Sequence, residues 1–388
     1  MRDERRRVQA NARTRPNDAA EQMPLQRTSP RGLVPEGNGG GTTVIKKIGR
    51  AFAGFMGFVL VFLLSACLFI LGLLHAITKG DLPSTQELVV VSVNETSAVK
   101  FLARIFYTEE RVQEILAANA VLPPDEITDL DSIIFVPPPE IPKDPVEAEE
   151  HAEKYEEYKD IEIVDVTGST FKGKMMIVRD PSRVHLTAIP YFGYNVAGKK
   201  IESLVSDAGA IAGMNAGGFA DDGGMGSGGM PLGLFILDGE IKVGAESTYC
   251  NVIGITFDHK LVVGEMTGAD ALALGVRDAV HFTPTLIVNG KAAEVSGSGG
   301  GVNPRTCIGQ RADGAMLLLC IDGRQPHSIG ASLQDCVQVM MDFEAVNAAN
   351  LDGGSSSVMV YNGEVINVCS SITGSRDQPA AFVVDALD

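Results

Sequence analysis

The chain has no tryptophan among its 388 residues, and only 6% of them are aromatic. A sugar-binding surface would therefore rest on tyrosine and phenylalanine, without the indole that offers the largest stacking face. Histidine is scarce too. Beyond residue 160 stand His185, His259, His281 and His327, and only His327 falls in a polar stretch. No Cys-x-x-Cys pair or His-rich cluster accompanies the six cysteines, so no zinc site is declared and no cofactor or metal is expected. Cys250, Cys307, Cys320, Cys336 and Cys369 all follow the apolar run that holds Cys67; they read as buried free thiols rather than a disulfide framework. Ser355–Ser357 lack the Gly-x-Ser-x-Gly elbow of a serine hydrolase. There is no Gly-Lys-Ser/Thr P-loop and no GxGxxG between a strand and a helix, which removes the common nucleotide cradles.

What the chain does have is a sharp division of charge. The first 50 residues hold 11 Lys+Arg against 5 Asp+Glu, a net of +6; the rest, with 21 against 44, carries −23. Between them Ala51 to Ile77 runs for 27 residues without Lys, Arg, Asp or Glu. A bilayer crossing needs about 20 apolar residues. Lys46, Lys47 and Arg50 precede the run, so the positive-inside rule puts that end in the cytoplasm and everything after Thr78 outside. A cleaved signal peptide has a shorter apolar core. Leu64-Ser65-Ala66-Cys67 resembles a lipobox, but ten largely apolar residues follow where a lipoprotein turns polar. The expected localisation is a single-pass membrane protein, with the bilayer as one partner. The basic arm needs only anionic lipid to explain it, and no nucleic acid.

Five segments are expected: a disordered basic arm (1–50), a transmembrane anchor (51–77), a stalk or small subdomain (78–136), a Pro-rich and acidic linker (137–160) and the main domain (161–388). Within the stalk, Leu88–Val93 reads as a strand and Ala98–Asn119 as a helix. In the linker, Pro137–Pro139 reads as extended and Glu147–Asp160 as helical.

In the main domain short strands alternate with Gly and Asp turns. Lys174–Val178 and Arg183–Ile189 flank a hairpin-like connection at Arg179–Ser182. Further strands are expected at Leu232–Leu237, Val252–Phe257, Lys260–Val263, Pro284–Val288 and Ala315–Ile321. Asp238-Gly239, Asn289-Gly290 and Asn362-Gly363 read as hairpin turns. Two helices stand out, Lys200–Ser206 and one beginning at Ser332, an N-cap with Asp335 three residues on. The latter puts Leu333, Cys336, Val337, Met340 and Met341 on one face. The fold class is α+β: a strand-rich mixed-sheet domain with few helices, behind an N-terminal transmembrane helix and stalk. Strand–helix alternation, and with it a doubly wound fold, is missing.

Four polar stretches carry the candidate chemistry: Met214–Phe219, Ser296–Thr306, Ile321–Ser328 and Asn347–Ser357, with Arg376 further on. The glycines of Ser296–Gly301 expose backbone N–H groups and Arg305 adds an always-charged donor fork, a combination that suits phosphate. Asp322 and Asp352 each follow an apolar strand-like run and precede glycine. Glu344 falls on the helix stripe four residues past Met340, either at a fraying end or against the site. Asp221-Asp222 is another acidic candidate. Hydrolysis at a sugar centre commonly uses two carboxylates, but a phosphate leaving group reduces the need for the acid.

Asn215-Ala216-Gly217-Gly218-Phe219, Asn303-Pro304-Arg305-Thr306, Ile321-Asp322-Gly323-Arg324 and Asn350-Leu351-Asp352-Gly353-Gly354-Ser355-Ser356 occur in the order and spacing of one family. From about Ile161 to Asp388 the chain resembles the phosphodiester glycosidases. The resemblance implies hydrolysis of a sugar-1-phosphodiester to free sugar and phosphomonoester, with a phosphorylated glycan of the envelope or exopolysaccharide as substrate. Carried over by position, it implies Asp352 as base or nucleophile, Asp322 orienting water or sugar, and Arg305 and Arg376 holding phosphate with the N–H groups of Gly353 and Gly354. It implies Asn215, Gly217, Gly218, Thr306, Ser355 and Ser356 as further lining. The family has Gly-Ala where this chain has Glu344-Ala345, so Glu344 is expected to narrow the pocket or change its substrate preference. The alternative from another class is a catalytically silent protein that binds carbohydrate or wall polymer.

Overall fold

Three two-residue turns set the grain of the fold. Asp238-Gly239, Asn289-Gly290 and Asn362-Gly363 each place both residues at positive φ, from 51° to 78°. That is the type I′ geometry whose twist matches paired strands. They close the hairpins β6–β7 (Phe235–Leu237, Glu240–Val243), β11–β12 (Thr285–Val288, Lys291–Ala292) and β17–β18 (Met359–Tyr361, Glu364–Val365). The computed structural model describes residues 40–79, 83–96, 99–136, 161–221, 226–371 and 374–387. Most of the basic arm, the linker readings at Pro137–Pro139 and Glu147–Asp160, and Asp222 lie outside them.

Strands β2 (Ile161–Thr167), β3 (Lys172–Val178), β14 (Arg305–Arg311), β15 (Met316–Ile321) and β16 (Ala345–Leu351) join β11 and β12 in a seven-stranded sheet, order β12-β11-β16-β14-β15-β3-β2. A five-stranded sheet runs β18-β17-β5-β19-β4, with β4 at Val184–Ala188, β5 at Ala212–Asn215 and β19 at Ala380–Val384. Another runs β7-β6-β10-β8-β9, with β8 at Tyr249–Thr256, β9 at Leu261–Thr267 and β10 at Val276–His281. The strand-rich α+β class holds. The sheets are not mixed, because every pairing among these strands is antiparallel. Short connections return the chain antiparallel in the hairpins β2–β3, β6–β7, β8–β9, β11–β12, β14–β15 and β17–β18.

All three sheets bury one face in a common core that includes Met176, Leu186, Met214, Phe235, Ile253, Ile308, Leu318, Leu351 and Phe382. A helix covers the back of each. The helix Leu333–Asp342 packs Leu333, Cys336, Val337 and Met340 on the seven-stranded sheet, behind a complete Ser332/Asp335 capping box. Met341 is exposed instead. Ile201–Asp207 packs on β5, β17 and β19. Gly268–Ala273, absent from the sequence reading, is capped by Thr267 and Asp270 and sits behind β8 and β10.

Other expectations are corrected. Lys174–Val178 and Arg183–Ile189 do not pair: β3 bonds β2 and β15, while β4 bonds β19 in another sheet. Asp180 caps a 3₁₀ turn at Pro181–Arg183 that redirects the chain between sheets. Leu88–Val93 is helical, part of Pro83–Asn94. Its β-branched valines imitate a strand, but Val90 and Val91 pack on Ala103, Val112 and Ile115 of the helices Phe101–Phe106 and Glu109–Ala118. Thr108 caps the second of these, so the long helix expected over 98–119 is broken in two.

This helical segment and residues 119–136 lie against the strands. β1 (Val121–Leu122) pairs with β13 (Glu294–Val295), Thr128 bonds Val263, and Ile134 N–H donates to the Ala312 carbonyl at 2.8 Å. The helix Gly40–Lys79 contains one exposed stretch, Lys47–Leu73, long and apolar enough to cross a membrane. All six cysteines are free thiols. Contact with Cys336 pushes the buried Cys307 thiol upward, and burial does the same to Cys320.

Candidate active site

Strand register builds the site. Thr306 stands opposite Leu351, so Arg305, at the head of β14, faces Asp352 just past the end of β16. β5 arrives alongside with Asn215 at its tip. The amide of Asn215 donates 2.6 Å to the Asp352 carbonyl, and its Oδ1 accepts from Thr306 Oγ1 at 2.9 Å and Val358 N at 3.1 Å. Asn215 and Thr306 are completely buried. They tie three strand ends together from behind and do not line the cavity.

The cavity in front measures about 860 Å³. Of the residues expected there, Gly218, Arg305, Asp352, Gly353, Gly354, Ser355 and Arg376 border it. Gly217 and Ser356 lie just beneath. A Cβ on Gly217 would stand 2.6 Å from that of Val280. Asp322 is not brought in. Its carboxylate accepts from Val368 N at 2.8 Å and Asn367 Nδ2 at 3.3 Å, and pairs with His327 Nε2 at 3.0 Å. It anchors the 366–369 loop, so the role of orienting water or sugar has no geometry here. Arg324 takes the place in the cavity instead, because its φ of 57° reverses the chain after Gly323. Glu344 is three-quarters exposed and meets Arg311 at 3.2 Å, at the opposite end of β14 from Arg305. Six strand residues, about 20 Å, separate it from the site, so it does not narrow the pocket.

The electrostatics are those of a protected acid among guanidiniums. Burial pushes Asp352 up to about 6, against the pull of the Ser356 hydroxyl and the Arg376 guanidinium; the nearby Asp221 raises it further. Arg376 pairs with Asp221 at 2.7 Å and lies 4.8 Å over the Phe219 ring. Arg305 is nearly fully buried: Nε donates to the Ala331 carbonyl at 3.2 Å, and Nη2 to those of Gly300 and Gly301 at 2.7 and 3.0 Å. Nη2 also meets Glu95 at 2.9 Å. Arg324 Nη2 donates to Thr96 Oγ1 and Asn303 Oδ1. Asn350 is buried at the wall, donates to the Thr283 carbonyl, and leaves its Oδ1 without a partner among the described residues. Tyr194, Phe219, Leu232 and Phe282 form the apolar side.

Sequence reasoning missed Glu95, Thr96, Asn303, Arg324, Asn350 and the aromatic side. Asn303, Arg324 and Asn350 stood inside the quoted motifs. Glu95 carried no signal of its own.

Convergent strand ends thus bring a raised carboxylate and three guanidiniums to the wall of one cavity. The family model described as phosphodiester glycosidase matches residues 208–385, a little under half of the chain. It is 38% identical over 65 residues to the SPbeta prophage-derived uncharacterized protein YomE of Bacillus subtilis, covering 17% of this chain and 10% of that protein. It is 37% identical over 62 residues to the bovine N-acetylglucosamine-1-phosphodiester alpha-N-acetylglucosaminidase, covering 16% and 12%. The chain thus spans about a tenth of the length of these curated relatives. Among solved structures, the zebrafish catalytic domain of that same enzyme, auto-inhibited by its pro-peptide, is similar at TM-score 0.48 and 23% identity, over 58% of this chain and 82% of that one. A putative exported protein of Burkholderia pseudomallei follows at TM-score 0.43 and 17% identity, over 55% and 74%.

Proposed function

We propose that the chain hydrolyses a sugar-1-phosphodiester to free sugar and phosphomonoester, on a glycan of the cell envelope or an exopolysaccharide. The observation that carries this reading is Asp352, held at about 6 on the wall of a cavity shared with three arginines, within the residues that match the family. A base works best when its pKa lies near the operating pH. In this reading Asp352 takes a proton from water as the water oxygen bonds to the sugar C1. The C1–O bond breaks, and its electrons leave with the phosphate oxygen. Phosphate is a good leaving group, so one carboxylate suffices where most glycosidases use two. Arg324, Nη1 of Arg305 and the N–H groups of Gly353 and Gly354 serve the leaving phosphate; Arg376 and Asp221 shape the far wall. Tyr194 and Phe282 offer faces to the ring. Asn215 and Thr306 act at one remove by fixing the Asp352 backbone. The helix containing Lys47–Leu73 anchors the chain in a membrane, the basic arm in the cytoplasm and the cavity outside.

The test is product identity. The full chain is incubated with an N-acetylglucosamine-1-phosphodiester of mannose in ¹⁸O-labelled water. This reading expects label on the free sugar and none on phosphate. Label on phosphate would make it a phosphodiesterase, and no turnover across a panel of sugar phosphodiesters would leave a binding protein.

A further inference from the structure

Among the described residues the charged side chains around the cavity come in matched numbers, Arg305, Arg324 and Arg376 against Glu95, Asp221 and Asp352. Two couples are closed as ion pairs, Glu95 with Arg305 at 2.9 Å and Asp221 with Arg376 at 2.7 Å. Arg324 has neutral hydrogen-bond partners, Thr96 at 2.8 Å and Asn303 at 3.0 Å. Among the described residues it meets no carboxylate at ion-pair distance.

Glu95 comes from outside the family-matched residues, from the chain just after the helix Pro83–Asn94. The glycine-rich loop that suggested a phosphate cradle is the seat of that segment. Val302 N–H donates to Ser92 Oγ at 3.0 Å, and Ser298 N–H to Asn119 Oδ1. A Cβ at Gly301 would stand 2.7 Å from the Ser92 Cα, and one at Gly300 would stand 2.9 Å from Glu95 Oε1. Both glycines are at positive φ. Glycine at 301 leaves room for the Ser92 backbone and so seats the segment that brings Glu95 to the cavity, where its side chain stays about one-third exposed and accepts 2.9 Å from Asn303 Nδ2. Arg305 does not need the charge for its hydrogen bonds, since three carbonyls already receive them. A neutral side chain at position 95 would satisfy the geometry equally well.

We propose that Glu95 is a specificity-determining residue: by cancelling Arg305 at the cavity wall it suits the site to a singly charged phosphodiester and against a doubly charged phosphomonoester. The inference rests on the hydrolytic reading above. A phosphodiester carries one negative charge at neutral pH, whereas a monoester approaches two, its second pKa being about 6. A fixed carboxylate repels each in proportion to its charge. At separations of about 7 Å in a partly hydrated cavity, one extra charge is worth on the order of tenfold in affinity. Hydrolysis turns the first anion into the second, so the carboxylate that admits substrate also speeds loss of product. The cavity remains open beside Glu95, so the segment lines the site and does not fill it.

The experiment uses the full chain in detergent at pH 8, with Glu95→Gln and Glu95→Asp beside the native protein. Calorimetry measures binding of mannose 6-phosphate, and kinetics measure KM for the corresponding N-acetylglucosamine phosphodiester. Glu95→Gln is expected to tighten monoester binding about tenfold more than it lowers KM for the diester. Glu95→Asp, which keeps the charge and serves as the folding control, is expected to keep the native ratio. An unchanged ratio in Glu95→Gln, equal change for both ligands, or no monoester binding by any of the three would overturn the proposal. Calorimetry needs no turnover, so failure of hydrolysis alone sinks the hydrolytic reading, while monoester binding by the three proteins still tests the role of Glu95.

Discussion

At the scale of single residues, the site divides into groups that face the cavity and groups that hold those facing it. Asp322 is the instructive case. Its position before glycine resembles that of Asp352, yet the two carboxylates end on different sides of the chain. Arg324 turns through a left-handed φ of 57° two residues later, which sends its own side chain inward and leaves Asp322 bonded to Val368, Asn367 and His327. Sequence spacing contains no record of that turn. Asp322→Asn is therefore expected to lower stability by about 1–3 kcal/mol, as a charge-assisted acceptor is lost. Its kcat should stay within about threefold of native, since no proton transfer is removed. Calorimetric melting and kinetics together check this; a hundredfold loss of kcat at unchanged Tm would restore Asp322 to the chemistry. Arg305 is different, because it bridges the Gly300–Gly301 loop and Glu95 through one planar fork. Arg305→Lys keeps the charge but cannot make those bonds together. Turnover is expected to fall about tenfold or more, and near-native turnover would exclude that role.

At the scale of elements, what was legible depended on how local the cause was. The three hairpin turns and the Ser332 cap were readable because each is decided within four residues. Replacing Ser332 by Ala should cost about 1 kcal/mol, and Met340→Ala about 2–5 kcal/mol through the void left against the sheet. Equilibrium denaturation measures both, and a smaller loss from Met340 than from the cap would contradict the packing described here. The helix Pro83–Asn94 was misread because three consecutive valines satisfy a strand as readily as a buried helix. The partners that decide the matter, Val112 and Ile115, lie more than 20 residues on. The loop Gly297–Gly301 was read as a ligand cradle for a related reason. Its glycines do make room, but for Ser92 and Glu95, about 200 residues away in sequence. Gly301→Val, placed at φ 68° against the Ser92 backbone, is expected to loosen that seat. Hydrogen exchange over residues 83–96 should quicken while the central strands stay protected; unchanged exchange would show that the segment does not depend on the loop.

At the scale of the whole molecule, the motifs showed where the site lies, since Asn215, Arg305 and Asp352 meet at three converging strand ends. What they could not reveal is that the cavity takes part of its wall from chain preceding the family-matched region. Sequence placed a domain start near Ile161, yet residues 119–136 pair with strands of the body and residues 83–96 supply Glu95 and Thr96 to the cavity. A fragment beginning at Ile161 is accordingly expected to expose Arg305 and to hydrolyse substrate more slowly than one beginning at Pro83. Equal kcat/KM for the two fragments would contradict it.

The central claim, that Asp352 is the base of a phosphodiester glycosidase, is tested most directly by the pH–rate profile of the full chain beside Asp352→Asn. Release of free sugar is followed from pH 4.5 to 8. A working base must be ionised, so the native rate should fall as pH drops through about 6, the value at which burial holds this carboxyl. The variant should lose at least about a hundredfold in kcat and with it the acid limb. A variant within a few-fold of native, or one that keeps the same acid limb, would show that some other group takes the proton.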